Sequence, residues 1–342
     1  GGPAQDAHWS EKGAFAYRAA ALAHDVQVKA ANVLADRISY PEDGLYVTVF
    51  NTLSHARAAM VRVPLRAWSP CGSPMHWRLP DGEQRWPSLV SGRAIGRRIV
   101  DGPAWLQERP FALVDAGTGQ PVPYQLSRLD SPQAAQPWAP ERWALGPVDP
   151  RHLAEIVLLA DDLPAMGYRT LQIVAGQEAA TPEHLGPLVA TDRLVENRFY
   201  RLTVDPERGG VASLYDKELG RELVDAGADH LLGQLIVRDS ASAAQESPQA
   251  TGVALVESGP LYTTLRLQGT ASCCPRLAIE FTLYHAAKQI DVSARILRDS
   301  TPMRELYLAF PFQVEAPRFR FEAPGSVIRP IRDQWPGSHT DA

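Results

Sequence analysis

The residues best suited to bind a ligand lie near the end of the chain. Asp333, Gln334 and Ser338 fall in the stretch DQWPGS, where Pro336 and Gly337 favour a turn that presents neighbouring side chains. Carboxylate, amide and hydroxyl groups in one turn can form hydrogen bonds with a polar ligand. We predict a ligand-facing loop here, with an ordinary hairpin turn as the alternative.

The sequence lacks the common motifs that position catalytic groups or metal ligands. It contains no GxxxxGKS/T or GxGxxG phosphate loop, no GxSxG and no HExxH. The pair His24-Asp25 lies on a predicted helix, where we interpret His24 as solvated. Asp161 and Asp162 are adjacent, so in a strand their carboxyl groups point to opposite faces and cannot flank one bond. We predict no catalytic residue and no metal ligand in this chain.

Cysteine usage and the start of the chain bear on its compartment. The three cysteines, Cys71, Cys273 and Cys274, lack the number and spacing of a disulfide framework. We predict free or buried thiols in a reducing compartment, which favours the cytoplasm. The opening GGPAQDAHWS has no initiator Met and no signal-peptide pattern, so we expect the chain to begin within a longer protein.

Composition excludes several classes of protein. The net charge is −5 without a basic stripe, which argues against a nucleic-acid partner. No run approaches the roughly 18 apolar residues of a membrane span. A content of 45% apolar residues over 342 positions is typical of a globular protein with two or three domains.

The spacing of apolar residues predicts one long helix, from His8 to Ile38. Its apolar stripe recurs every three or four residues, at Phe15, Ala19, Leu22, Val26, Ala30 and Val33. One helix cannot bury such a stripe alone. We expect it to dock on the β units of the chain or on a second copy, which would make a homo-oligomer.

From Leu45 onward the pattern is that of β-strands. Short alternating runs are separated by many of the 29 Pro and 25 Gly residues, which is typical of a sandwich or barrel. We predict a first β unit over 41–175, a linker over 176–192 and a larger second unit over 193–342. The small, polar residues of 239–252 predict a mobile loop.

The second unit begins with a hairpin. Residues 200–204 alternate, Asp205 begins the turn, and Gly209 and Gly210 supply residues that are free to adopt positive φ. The long alternation of 277–283 predicts a large sheet packed on a second sheet.

Tryptophans concentrate in the first β unit. They are Trp68, Trp77, Trp86, Trp105, Trp138 and Trp143. Aromatic faces stack on sugar rings or fill interfaces. If these rings share one exposed face they favour a carbohydrate-binding module, whereas buried rings indicate packing.

Ordered stretches of the sequence resemble a known family. VTVFNTLSHARAAMVRVP resembles the strands that follow the helical bundle in the α-mannosidases of glycoside hydrolase family 38. VENRFYRLTVDPERGGVASLYDKELGRELVD is similar to the signature of that family's large β-domain. GPLYTTLRLQG, YHAAKQIDVSARI, LYLAFPF and IRPIRDQWPGSHTD follow in the family's order, so the resemblance covers residues 6–342.

The resemblance implies a mainly β fold with two β-sandwich units, the larger one galactose-mutarotase-like, after a helix (1–40) that belongs to a central helical bundle. It also implies a preceding catalytic domain with a His-x-Asp zinc motif and a nucleophilic Asp. Asp6-Ala7-His8 loosely matches an element that follows a zinc-binding His of the family. We therefore expect zinc in that catalytic domain and no cofactor in this chain, which also ends before the family's last strands.

The expected function is that of the C-terminal β-domain portion of a retaining, zinc-dependent α-mannosidase. It would support its own catalytic domain, border the α-mannoside site through Asp333, Gln334 and Ser338, and be inactive alone. Two alternatives stay open. One is a stand-alone carbohydrate-binding or structural β-module, and the other is a non-catalytic paralogue.

Overall fold

The fold is mainly β with one N-terminal helix, which confirms the predicted fold class. The computed structural model describes residues 3–40, 44–64, 77–78, 84–85, 110–128, 154–181, 188–323, 325–330 and 332–335.

The chain divides into two compact units. The first comprises residues 1–185, 256–264 and 284–289, and the second comprises 186–255, 265–283 and 290–342. The domain limits and the linker inferred from the sequence stay predictions.

Helix α1 spans Pro3–Ala35, a few residues earlier at each end than the pattern predicted. Proline suits its first position, because the amide of that residue has no helical partner. Phe15, Leu22 and Val26 are 61%, 67% and 64% exposed. The strands of its own unit therefore do not cover the apolar stripe, and docking on a second copy stays a prediction. Among the described residues, no helix has the length and apolar character needed to cross a membrane.

The first unit contains two antiparallel sheets and a short hairpin. The sheets have the strand orders β1-β9-β5-β6 and β2-β8-β7, and the hairpin pairs β3 with β4. Residues such as Phe111, Leu113, Ile156 and Leu158 are buried in one cluster. The strands are β1 Leu45–Asn51, β2 Arg57–Pro64, β3 Trp77–Arg78, β4 Gln84–Arg85, β5 Phe111–Asp115, β6 Pro121–Val122, β7 Tyr124–Arg128, β8 Ala154–Leu163 and β9 Gly167–Ala175.

The remaining strands build the second unit, although β17, β18 and β19 each contribute residues to both units. The strand orders are β10-β11-β12-β13-β14, β16-β15-β21, β17-β18-β19-β20 and β22-β23. The strands are β10 Val189–Ala190, β11 Leu194–Glu196, β12 Tyr200–Asp205, β13 Gly210–Asp216, β14 Arg221–Glu222, β15 Leu235–Asp239, β16 Gln245–Glu246, β17 Gln249–Ser258, β18 Tyr262–Ala271, β19 Cys274–Tyr284, β20 Ile290–Leu297, β21 Arg304–Leu308, β22 Phe321–Ala323 and β23 Ser326–Ile328.

The predicted long strand is present as β19. Leu277, Ile279, Phe281 and Leu283 are all buried in the core cluster of the second unit. Since successive side chains of a strand point to opposite faces, these four residues lie on one face of the sheet. The alternation in the sequence thus identified the buried face correctly.

The stretch 239–252 is more regular than the sequence suggested. Asp239 ends β15, and its Oδ1 accepts hydrogen bonds from the backbone N–H groups of Ala241 (3.0 Å) and Ser242 (2.8 Å). Strands β16 and β17 then begin within the stretch. The stretch is therefore a tight turn followed by paired strands and not a single loop, because strand pairing supplies backbone hydrogen bonds that composition does not reveal. Its mobility stays a prediction.

Candidate functional site

The predicted hairpin is present as β12 and β13, and only one of its two turn glycines has a positive φ. Oδ1 of Asp205 accepts hydrogen bonds from the backbone N–H groups two and three residues later, at 2.9 and 3.0 Å. Gly209 has a φ of 69°, as expected. Gly210 does not have a positive φ, and a Cβ there would lie 2.5 Å from Cβ of Leu231. Gly210 is therefore required by close packing and not by backbone conformation.

A second glycine allows a close contact in the core. Gly233 has a φ of 76°, and a Cβ there would lie 2.4 Å from Cζ of Phe281. The adjacent Gln234 donates from Nε2 to the carbonyl of Arg208 (2.8 Å) and accepts at Oε1 from the N–H of Leu231 (3.0 Å). These contacts fix the loop against the hairpin turn.

Glu222 joins β13 and β14 through its carboxylate. It accepts hydrogen bonds from Oγ of Ser213 (2.6 Å) and from the backbone N–H groups of Leu214 (2.7 Å), Leu223 and Val224 (both 3.0 Å). Burial raises the pKa of Glu222, but these hydrogen bonds outweigh it and hold the pKa below its usual value. The carboxylate therefore stays ionised and organises the sheet.

Asp115 has a similar structural role in the first unit. Its Oδ2 accepts from Nε of Arg169 at 2.5 Å, and its Oδ1 accepts from the backbone N–H of Thr118 at 2.8 Å. Burial raises the pKa of Asp115, and these bonds lower it by more. Arg169 also pairs with Asp161, and both Asp161 and Asp162 are exposed.

The predicted binding loop is held by an ion pair. The guanidinium of Arg329 donates from Nη2 to Oδ1 of Asp333 (2.6 Å) and from Nε to both carboxylate oxygens (3.0 and 3.1 Å). The backbone N–H of Arg329 donates to Oδ2 (2.8 Å), and the N–H of Asp333 donates to the carbonyl of Arg329 (3.1 Å). The hydrogen bonds from Arg329 lower the pKa of Asp333 to about 2. Asp333 is therefore ionised and shapes the turn.

The structure describes one of the other two predicted loop residues. Gln334 follows Asp333 in the turn and is half-buried, whereas Ser338 lies outside the described residues. Trp335, which our sequence reasoning did not select, is 87% exposed. The sequence signal that could have identified Trp335 is its position within DQWPGS. The substrate-binding role of Asp333, Gln334 and Ser338 stays a prediction.

The remaining candidates are structural or lie outside the described residues. Cys273 and Cys274 are buried with their Sγ atoms 3.6 Å apart, and burial raises the pKa of Cys274 to about 12, so this thiol stays protonated. Cys71 lies outside the described residues. So do the side chains of the six tryptophans, although the backbone of Trp77 forms part of β3.

Among the residues that the structure describes, no three side chains of His, Cys, Asp or Glu lie close enough together to hold an ion. Asp25, which follows His24 on α1, pairs with Lys29.

The region that contains the hairpin, Glu222 and the Arg329–Asp333 turn is similar to a known family. Residues 195–340 match the model described as "Glycosyl hydrolases family 38 C-terminal domain". No curated protein matches the chain. Residues 195–340 are thus similar to a glycosyl hydrolase family 38 C-terminal domain, in agreement with the resemblance seen in the sequence.

Proposed function

We propose that the chain is the C-terminal β-domain portion of a retaining, zinc-dependent α-mannosidase, and that it supports the catalytic domain of that enzyme. The observation that carries this proposal is the family 38 match over residues 195–340. The strand patterns that precede the match resemble the same family and extend the proposal to the rest of the chain.

The state of the carboxylates supports a non-catalytic role for this chain. A retaining glycosidase uses two carboxyl groups about 5 Å apart, and its general acid needs a raised pKa. The pKa values of Asp115, Glu222 and Asp333 are instead lowered, and each carboxylate is held by hydrogen bonds within the fold. Such groups keep their negative charge at neutral pH and are poor proton donors. We therefore assign the nucleophile and the acid to the catalytic domain.

Zinc belongs to the same proposal. When bound, the metal would orient sugar hydroxyls and stabilise developing charge. The described residues do not offer a ligand cluster that fits it. We accordingly assign its ligands to the catalytic domain.

The role of this chain in the proposal is to present one turn at the border of the α-mannoside site. The close contacts at Gly210 and Gly233 show that the core of the second unit, which supports this turn, is tightly packed. The Arg329–Asp333 pair gives the turn a defined shape, so Gln334 can meet the substrate at a fixed position.

A full-length protein that joins this chain to a family 38 catalytic domain tests the proposal. We expect Gln334→Ala to lower kcat/KM for a chromogenic α-mannoside about tenfold, with the melting temperature nearly unchanged. The matched control is Asp205→Ala, which removes a turn carboxylate of the hairpin and should lower stability without a specific effect on kcat/KM. Unchanged kinetics in Gln334→Ala would argue against a turn at the substrate site.

A further inference from the structure

We propose that Trp335 is a stacking platform for a pyranose ring, so that the turn before it forms a carbohydrate-binding subsite. The choice of an α-mannoside as its ligand rests on the function proposed above. The exposure of Trp335, the shape of the turn and the charge of the neighbouring residues support the stacking.

The exposure of Trp335 is unusual for its size. Tryptophan normally buries most of its ring, because a large apolar surface is costly to leave in water. Trp335 is 87% exposed, more than any other large apolar side chain among the described residues, the next being Tyr17 at 80%. An indole ring offers a flat apolar face with an N–H donor at its edge. This combination suits a sugar ring, which has apolar C–H groups on its face and hydroxyl groups around its rim.

The turn before Trp335 is closed by hydrogen bonds between its own residues. Arg329 grips the carboxylate of Asp333 through its guanidinium and its backbone N–H, and the N–H of Asp333 returns a hydrogen bond to the carbonyl of Arg329. A second backbone bond joins the N–H of Arg332 to the carbonyl of Pro330 (2.7 Å). A platform attached to a closed turn loses less conformational entropy on binding than one on an open chain.

The polarity around Trp335 favours a sugar over an apolar protein surface. The three residues before it are Arg332, Asp333 and Gln334, and the first two are exposed. Charged and amide groups beside an aromatic ring can form hydrogen bonds with hydroxyl groups, whereas a protein-docking surface is marked by a contiguous apolar patch. Phe319 is another exposed aromatic residue, at 62%, but it lies in a different segment of the chain. It can therefore be compared with Trp335 in a binding experiment.

The test uses the purified chain and three ligands, which are methyl α-mannoside, an α-linked mannobiose and methyl β-glucoside. Binding is followed by NMR through the signals of the ligand, which can be measured with every variant. We expect Trp335→Ala to weaken binding roughly 3- to 10-fold, the range that aromatic contacts typically contribute. Phe319→Ala is the matched control and should bind like the unmodified chain, and circular dichroism checks that both variants are folded.

The outcomes separate this inference from the proposed function. Equal affinity in Trp335→Ala and the unmodified chain, or no binding by the unmodified chain, would overturn the platform even if the full-length protein hydrolyses α-mannosides. Equal binding of a β-glucoside, with the same loss in Trp335→Ala, would leave the platform intact but contradict the mannoside class.

Discussion

Protonation of His285 should destabilise the first unit as the pH falls. The imidazole is 2% exposed, and its Nε2 shares a hydrogen bond of 3.1 Å with Oγ1 of Thr263. Burial lowers the pKa of His285 to about 4, and hydrogen bonds with the backbone at Gly259 and Tyr262 offset this only in part. The ring therefore stays neutral in the folded chain under conditions in which an exposed histidine is charged.

The sign and size of the effect follow from proton linkage. Between pH 6.5 and about 4 the unfolded chain binds a proton at His285 and the folded chain does not, so stability falls as the pH decreases through this range. The full difference corresponds to about 3 kcal/mol, of which about 2 kcal/mol is lost by pH 5. Above pH 7 the contribution is constant.

The experiment compares His285→Gln with the unmodified chain. Glutamine keeps a hydrogen-bonding group near Thr263 but does not titrate. Amide hydrogen exchange of residues 256–264 and 284–289, measured by mass spectrometry at several pH values, gives the opening free energy of this part of the unit. Carboxylates also titrate in this range, so the informative quantity is the difference between the two proteins.

We expect the unmodified chain to lose about 2 kcal/mol more than His285→Gln between pH 7 and pH 5. The control His55→Gln alters an exposed histidine and should keep the pH dependence of the unmodified chain. Parallel pH profiles for His285→Gln and the unmodified chain would refute a buried neutral imidazole.

Two further predictions concern packing and domain connection. Gly233→Ala should destabilise the second unit by about 3 kcal/mol, because it combines strain at positive φ with a clash in the core. Gly220→Ala, also at positive φ but with open space around it, should cost only about 1 kcal/mol, and equal urea midpoints for the two variants would contradict this. Limited proteolysis with subtilisin should cut first within 176–192, before the hydrogen-bonded stretch 239–252. First cleavage within 277–295, identified by mass spectrometry, would mean that the sheet containing β19 is less stable than its burial indicates.

Features determined by nearby residues were predictable from the sequence. The turn at Asp205 and the positive φ of Gly209 follow from local backbone chemistry, and the buried face of β19 follows from an alternation of two residues. The packing role of Gly210 was not predictable, because it depends on Leu231, which lies 21 positions later in the chain.

The candidate loop was predictable in its position and not in its chemistry. The motif DQWPGS identified Asp333, but the partner that fixes its charge, Arg329, became evident only from the folded turn. His285 was not predicted as a buried titrating group, since its environment comes from strand β18 and residues before it. Local patterns thus indicate where a polar turn forms, whereas tertiary contacts decide which of its groups are already engaged.

Turnover by the purified chain alone tests the central claim most directly. The chain is incubated with a chromogenic α-mannoside and zinc, and bound metal is measured by elemental analysis. If the chain is the supporting β-domain portion of a family 38 enzyme, hydrolysis should not exceed the rate without protein. Turnover above that background, with stoichiometric zinc bound to the chain, would contradict the account.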